Sequence, residues 1–385
     1  MVEYLPESGE NPQAADERIS HEAFFPVREQ KLYFKNLAGD EGTFFDKELY
    51  TDLPCGASIE LDRHFGILDI ERRNVICCVT YDNYELIRNV DAVEIARKHV
   101  IPEVFKGAGS QKCLCNGLLI SNSRGQSYID MCSYDYKPPA TVHDKWLPFM
   151  RITNSYNRSL KLTYRIGFCH VGSGNRVIFS DRTINLDTIH KEVEEKIKKQ
   201  VLSNFSDIKK FEKGFYDGLI SLNKYFFPKK RMLQMLCKVF GLTEKWAIGK
   251  RRDGTAARNH RIVCSALQWT HEFFDANGDS AYAAFCVLTA FATRPPFEQK
   301  RMMVSQIDRN QGVVGNWALD FVAKMAQPAF STDDYLDEGS VKAADTLVSD
   351  YLYFEKAVRM PDLTFGHGGG LDTSRPEDRF LKSNL

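Results

Sequence analysis

The chain has 385 residues, no net formal charge, and 43% hydrophobic and 12% aromatic content. That length allows two domains or one large one, with enough apolar material for a true core. No apolar run approaches the roughly 20 residues needed to span a bilayer as a helix, which excludes a transmembrane reading.

The opening MVEYLPESGENPQAADERIS is acidic and lacks an apolar signal segment, so secretion is not expected and residues 1–20 read as a disordered acidic leader. A β-rich domain is expected over 21–185. KLYFKNLAGDEGTFFDKELY places Gly39–Gly42 between two aromatic runs, a hairpin signal. HFGILDIERRNVICCVT adds short apolar runs around a turn at Arg72-Arg73. The period then changes, because Val93, Ala96, Val100 and Val104 recur at helical spacing, and Pro102 should stop or kink that helix. CLCNGLLISNSRGQSYIDMCSYDY returns to strands about a Ser-Arg-Gly turn. In the stretch from Arg151 to Asp181, Leu162, Tyr164, Ile166 and Phe168 alternate with Lys161, Thr163, Arg165 and Gly167. That alternation predicts a sheet backed by helices on one side and open on the other.

A helical domain is expected over 186–327. Ile189, Val193, Ile197 and Val201 step by four after Asp187-Thr188, and Phe205 to Leu222 carry the stripe onward. Further helices are predicted from Pro228 to Gly241, from Thr255 to Asn277, over 280–293, over 298–309 and over 313–325. Residues 328–385 form an acidic C-terminal helix or tail ending in FGHGGGLDTSRPEDRF. The fold class is therefore α+β: a mixed or antiparallel β region with one prominent helix, then an α-helical region.

Zero net charge conceals an uneven distribution. Residues 1–60 carry five basic and thirteen acidic groups, residues 190–262 eighteen basic and eight acidic, and residues 316–385 seven basic and twelve acidic. A basic middle between acidic ends points to a polyanionic partner, since Lys and Arg release counterions from a phosphate backbone. EKWAIGKRRDGTAARNHR supplies Lys245, Lys250, Arg251, Arg252, Arg258 and Arg261 around a loop and a helix start, with Trp246 close enough to stack on a base. Lys229-Lys230-Arg231 is a second patch. The hairpin is a third, with Arg151, Arg158, Lys161, Arg165 and Arg176. One groove lined by all three would grip a single strand. Each patch also has a plain structural account as the wet face of a helix or loop.

Catalytic signals are missing. Gly249-Lys250 lacks the first Gly of a phosphate loop, because Glu244 stands there. His271-Glu272 is followed by Phe-Phe-Asp, Gly172-Ser173-Gly174 sits in a hairpin turn, and no zinc-deaminase pattern occurs. Cys169-His170 is no dyad, since adjacent strand residues face opposite ways. Cys113, Cys115, Cys132 and His143 have zinc-ligand chemistry in one β-rich region, but core packing explains them better, and no metal or cofactor is expected. The ten Cys (Cys55, Cys77, Cys78, Cys113, Cys115, Cys132, Cys169, Cys237, Cys264 and Cys286) read as reduced thiols of a cytosolic protein.

From Asn154-Ser155-Tyr156-Asn157 through Phe168-Cys169-His170-Val171, the chain resembles the phage- and plasmid-borne family called domain of unknown function 932. The segment Tyr84 to Asn89 and the helix AARNHRIVCSALQWTHEF extend the resemblance, which spans roughly Phe24 to Met325. Asn157-Arg158 and Gly172–Asn175 depart from the family's turns. The resemblance implies a mobile-element protein acting in DNA metabolism or against host defence, in the cytoplasm of a bacterial host. Non-enzymatic binding of single-stranded DNA in recombination or protection is the leading expectation, with a homo-oligomer compatible. The alternative is an anti-defence protein that binds a host protein or sequesters a nucleotide signal. A metal-dependent nucleic-acid enzyme would need a carboxylate cluster, which the sequence does not offer.

Overall fold

A computed structural model describes residues 2–7, 10–35, 58–80, 86–105, 113–138, 146–186, 199, 208–248, 255–296, 304–328 and 330–359. The architecture is α+β, with antiparallel sheets in the first half and helices in the second. No helix among the described residues is long and apolar enough to cross a membrane.

A six-stranded sheet dominates the first half. It is built from β1 (Val2–Tyr4), β5 (Cys113–Ile120), β6 (Gln126–Ser133), β7 (Trp146–Ser155), β8 (Leu162–His170) and β9 (Arg176–Leu186), in that order across the sheet and antiparallel throughout. Tight turns set the register. Arg124 takes φ +56° in the Ser-Arg-Gly turn, Arg158 φ +59° in the next, and Gly174 φ +68° in the Gly-Ser-Gly-Asn turn. A three-stranded sheet of β2 (Val27–Lys35), β3 (Ser58–Asp69) and β4 (Asn74–Thr80) turns at Arg72-Arg73 as expected. The hairpin read at Gly39–Gly42 lies outside the described residues.

The leader is a correction. Residues Pro12–Ala23 form helix α1, capped by the Asn11 side chain and started by Pro12, and Ala15, Ile19 and Ala23 are fully buried. They pack with α2 (Asn89–Ile95), the π-helical turn Ala96–Val100 and α3 (Ile101–Val104) on one face of the sheet, against Ile129, Met150, Ile152, Tyr164 and Ile166. The π turn sits just before Pro102, whose ring carries no N–H to continue the regular ladder.

The opposite face of the sheet is covered too, contrary to the alternation argument. Nine of the ten residues of β7 are buried. Its cover is α9 (Val304–Met325), a single helix where two were expected, with no break at Gly312. Gly315 explains the close fit: a Cβ there would stand 2.2 Å from the Ile178 carbonyl of β9.

The helical region is α4 (Ile208–Lys224), a 3₁₀ turn at Lys229–Arg231, α5 (Met232–Phe240), α6 (Glu244–Ile248), α7 (Thr255–Asn277), α8 (Ala281–Thr293), then α9, α10 (Thr332–Tyr335) and α11 (Glu338–Arg359). The stripe at Ile189–Val201 lies outside the described residues. Every residue of α8 is buried, as an all-round apolar helix must be. Trp146, Phe168, Val177 and Phe179 of the sheet join the same core, and the Trp146 indole donates to the Tyr282 hydroxyl at 3.0 Å. The two halves therefore share one apolar core. The C-terminal tail is in large part structural as well, since α11 buries Ala343, Ala344, Leu347 and Tyr351.

Candidate nucleic-acid interface

The sheet arginines are consumed inside the protein. Asp130, Arg151 and Arg165 sit opposite one another on β6, β7 and β8, on the face under α9. Arg151 is 0% exposed and grips Asp130 bidentately, with two bonds of 2.6 Å. Its remaining nitrogen donates to Gln311 at 2.6 Å and Asp308 at 3.1 Å, both from α9. The same Asp308 oxygen accepts from Arg165 at 2.6 Å, so one carboxylate separates two facing guanidiniums. Arg176 lies 3.0 Å from Asp130 and donates to the Asn116 carbonyl and side chain. Burial opposes the charge on Arg151, yet the Asp130 and Asp308 carboxylates outweigh it and hold its pKa above the ordinary arginine value. Arg165 is thus removed from the interface reading. Arg158 and Lys161 are exposed at the β7–β8 turn.

The second patch is partly neutralised. Lys229 pairs with Asp275 at 3.0 Å and Arg231 with Asp333 at 2.8 Å. Lys230 is exposed and has no ion pair among the described residues.

In the third patch, Lys250, Arg251 and Arg252 lie outside the described residues. Lys245 and Arg261 are exposed. Trp246 is half-buried against the main core, and the Arg258 guanidinium covers its ring at 4.2 Å while donating to the Trp246 carbonyl at 3.0 Å. Desolvation of Arg258 outweighs the pull of Asp350 and lowers its pKa. Trp246 and Arg258 therefore hold α6 against α7, and the ring is not an open stacking platform.

Lys229 is tied to Asp275 near the end of α7, whereas Arg261 sits near its start. The helical rise puts about 20 Å between those two positions.

An aromatic that the sequence reading passed over is better placed. In Lys224-Tyr225-Phe226-Phe227-Pro228, the backbone makes an isolated bridge to Ser280: Phe227 N donates to Asp279 O at 3.1 Å and Ala281 N to Tyr225 O at 2.9 Å. Extended backbone sends successive side chains to opposite sides. Phe227 is therefore fully buried and Tyr225 packs on Phe321 and Phe330, leaving Phe226 67% exposed. Exposed Lys224 and Lys230 flank it, and neither has an ion pair among the described residues. The only signal in the sequence was three consecutive aromatics between lysines.

The four-residue zinc reading has no support among the described residues, where no cluster fit for a metal ion is found; His143 lies outside them. Burial pushes Cys113 and Cys132 up strongly and Cys115 to about 12, as befits core thiols.

Compared with protein-family profiles, curated proteins and solved structures, the chain matches none.

Proposed function

We propose that the chain is a nucleic-acid-binding protein of a mobile genetic element that engages single-stranded DNA through its helical region. The observation that carries this reading is Phe226, an exposed ring on a backbone clamped from both sides, between two uncommitted lysines. A rigid ring stacks on any base without sequence preference, and the adjacent cations meet phosphates. The strand arginines Arg151, Arg165 and Arg176 take no part, because they are already ion-paired.

Stacking on an aromatic is worth about 1–3 kcal/mol per base, so Phe226→Ala should weaken binding of a fluorescent oligonucleotide about 5- to 150-fold. It should leave the salt dependence unchanged. Lys224→Ala with Lys230→Ala should instead flatten log affinity against log salt by about 1.4 units, at about 0.7 per phosphate contact on a single strand. Unaltered affinity in both variants would overturn the reading.

The rival, an anti-defence protein that binds a host protein, draws on the same ring, since a fixed exposed aromatic is also an interface anchor. DNA binding insensitive to Phe226→Ala, with a host protein captured only when Phe226 is present, would favour that rival.

A further inference from the structure

We propose that Arg165, Tyr128 and Thr163 form a binding site for a small oxyanion, the carboxylate or phosphate group of a low-molecular-weight ligand, at the edge of the buried arginine network. Tyr128, Thr153 and Thr163 stand opposite one another on β6, β7 and β8. They make one row across the sheet, on the same face as the neighbouring row of Asp130, Arg151 and Arg165. Arg165 leans from its own row into the next, because its Nη2 donates to Thr153 Oγ1 at 3.2 Å as well as to Asp308 at 2.6 Å. Tyr128 lies on the far side of Thr153, packed with Ile307 of α9, and its hydroxyl feels the charges of Asp308, Arg165 and Arg151.

Donors are left over in this corner. Arg151 commits all three guanidinium nitrogens, to Asp130, Gln311 and Asp308. Arg165 commits only Nη2. Its Nε is buried without an acceptor, and its Nη1 has none among the described residues. Tyr128 is 2% exposed, yet its hydroxyl has no hydrogen-bond partner among the described residues. Buried polar groups are ordinarily bonded, so unused donors on adjoining rows mark a missing acceptor. The charges call for an anion: the one carboxylate on Arg165, Asp308, is divided with Arg151. Desolvation, with Asp308 adding to it, raises Tyr128 to about 12, so the phenol keeps a proton to donate.

Access comes from β8. Thr163 and Arg165 are both part-exposed, and exposed Lys161 lies two residues further along the same face. Because Nε is sealed from solvent, the oxyanion meets Arg165 at Nη1, with the Tyr128 and Thr163 hydroxyls as its other donors. Tyr128 and Thr153 are at most 4% exposed, so the space admits one small group and not a nucleic-acid strand. The site is therefore independent of the Phe226 contact.

The test is calorimetric titration of the full chain with inorganic phosphate and, separately, with acetate, each against sodium chloride at constant ionic strength. Saturable binding of at least one oxyanion is expected; phosphate alone assigns the site to phosphate groups, acetate alone to carboxylates, and either supports the proposal. Tyr128→Phe removes a hydroxyl that the protein itself does not use, so Tm in chloride should stay at or slightly above that of wild type. The same variant should bind the oxyanion about 10- to 150-fold more weakly, the loss of one hydrogen bond to a charged group. Arg165→Lys keeps a cation for Asp308 but gives up Nη1, and should weaken binding by a similar factor. No saturable heat with either oxyanion would mean that water alone fills the space, and overturns the proposal. So does an affinity that Tyr128→Phe leaves unchanged.

Discussion

Asp130→Asn is the sharpest test of the buried network. The wild-type carboxylate is 2% exposed and holds Arg151 bidentately, with Arg176 Nε 3.0 Å away. The substitution keeps the shape but removes the charge, and an amide offers one acceptor where the carboxylate offered two. Two guanidiniums at most 1% exposed then lose the carboxylate they share, and Arg151 keeps Asp308, which Arg165 also uses. Breaking a buried pair by removing one partner costs about 3–5 kcal/mol, because the surviving charge is stranded out of water. At about 2.1 cal/mol/K of unfolding entropy per residue, the 385-residue chain has roughly 0.8 kcal/mol/K, so Tm should fall by about 4–6 °C. Differential scanning calorimetry measures this directly. Adding Arg176→Met should recover part of the loss by removing one stranded cation, a non-additivity that only coupled neighbours show. As a control, Glu338→Gln breaks a solvent-exposed pair with Lys342 and should barely move Tm. A shift below about 1 °C for Asp130→Asn would refute the reasoning, since it would mean water or another anion already balances these arginines.

Two other perturbations follow from single contacts. Gly315→Ala should destabilise by at least about 1–3 kcal/mol, because its Cβ would stand 2.2 Å from the Ile178 backbone. Gly218→Ala, with its nearest neighbour at 3.6 Å, should be neutral or stabilising by up to about 1 kcal/mol; urea unfolding separates the two. Glu212 is buried beside Tyr136, and desolvation raises its pKa despite Lys209 and the Tyr136 hydroxyl, so the fold favours the protonated acid. Stability from this group is therefore greatest below the carboxyl's unfolded pKa and lost as pH rises through the raised folded value. Glu212→Gln should raise Tm at pH 8 and leave it near wild type at pH 4, as thermal melts at the two pH values will show.

Much of the secondary structure was legible because it is written in local chemistry. Ser280 caps α8 through its bond to the Ala283 N–H. Gly278, in the left-handed region, ends the preceding helix. Misreadings came where tertiary partners decide. Helix α1 buries mostly small residues, Ala15 and Ala23 beside Ile19, so its apolar stripe is faint although its Asn11-Pro12 start signal was present. Two helices were expected over 298–309 and 313–325, whereas α9 runs unbroken from Val304 to Met325 and Gly315 marks its close approach to β9. Trp246 looked available for stacking because nothing in the sequence shows that Arg258, twelve residues on, covers it.

The sheet shows why charge patterning misled about the candidate site. Apolar residues alternating with Arg165 and Lys161 look the same whether the polar face meets water or a carboxylate from a distant helix. The distinguishing signal was Asp130, a lone acid within the apolar run Ser-Tyr-Ile-Asp-Met-Cys, which demands a cation if its strand is buried. Given that demand, Arg151 on the next strand is the nearest supplier, and its facing neighbour Arg165 needs a second acid. Asp308 meets that need only if α9 crosses β7 and β8 at one position along its axis. The bare face of Gly315 lets the same helix close on β9 at that position. A charge contact and a steric contact seven residues apart thus specify one placement of α9. Each excludes sliding that the other alone would allow, so Arg151 and Arg165 serve to seat a helix.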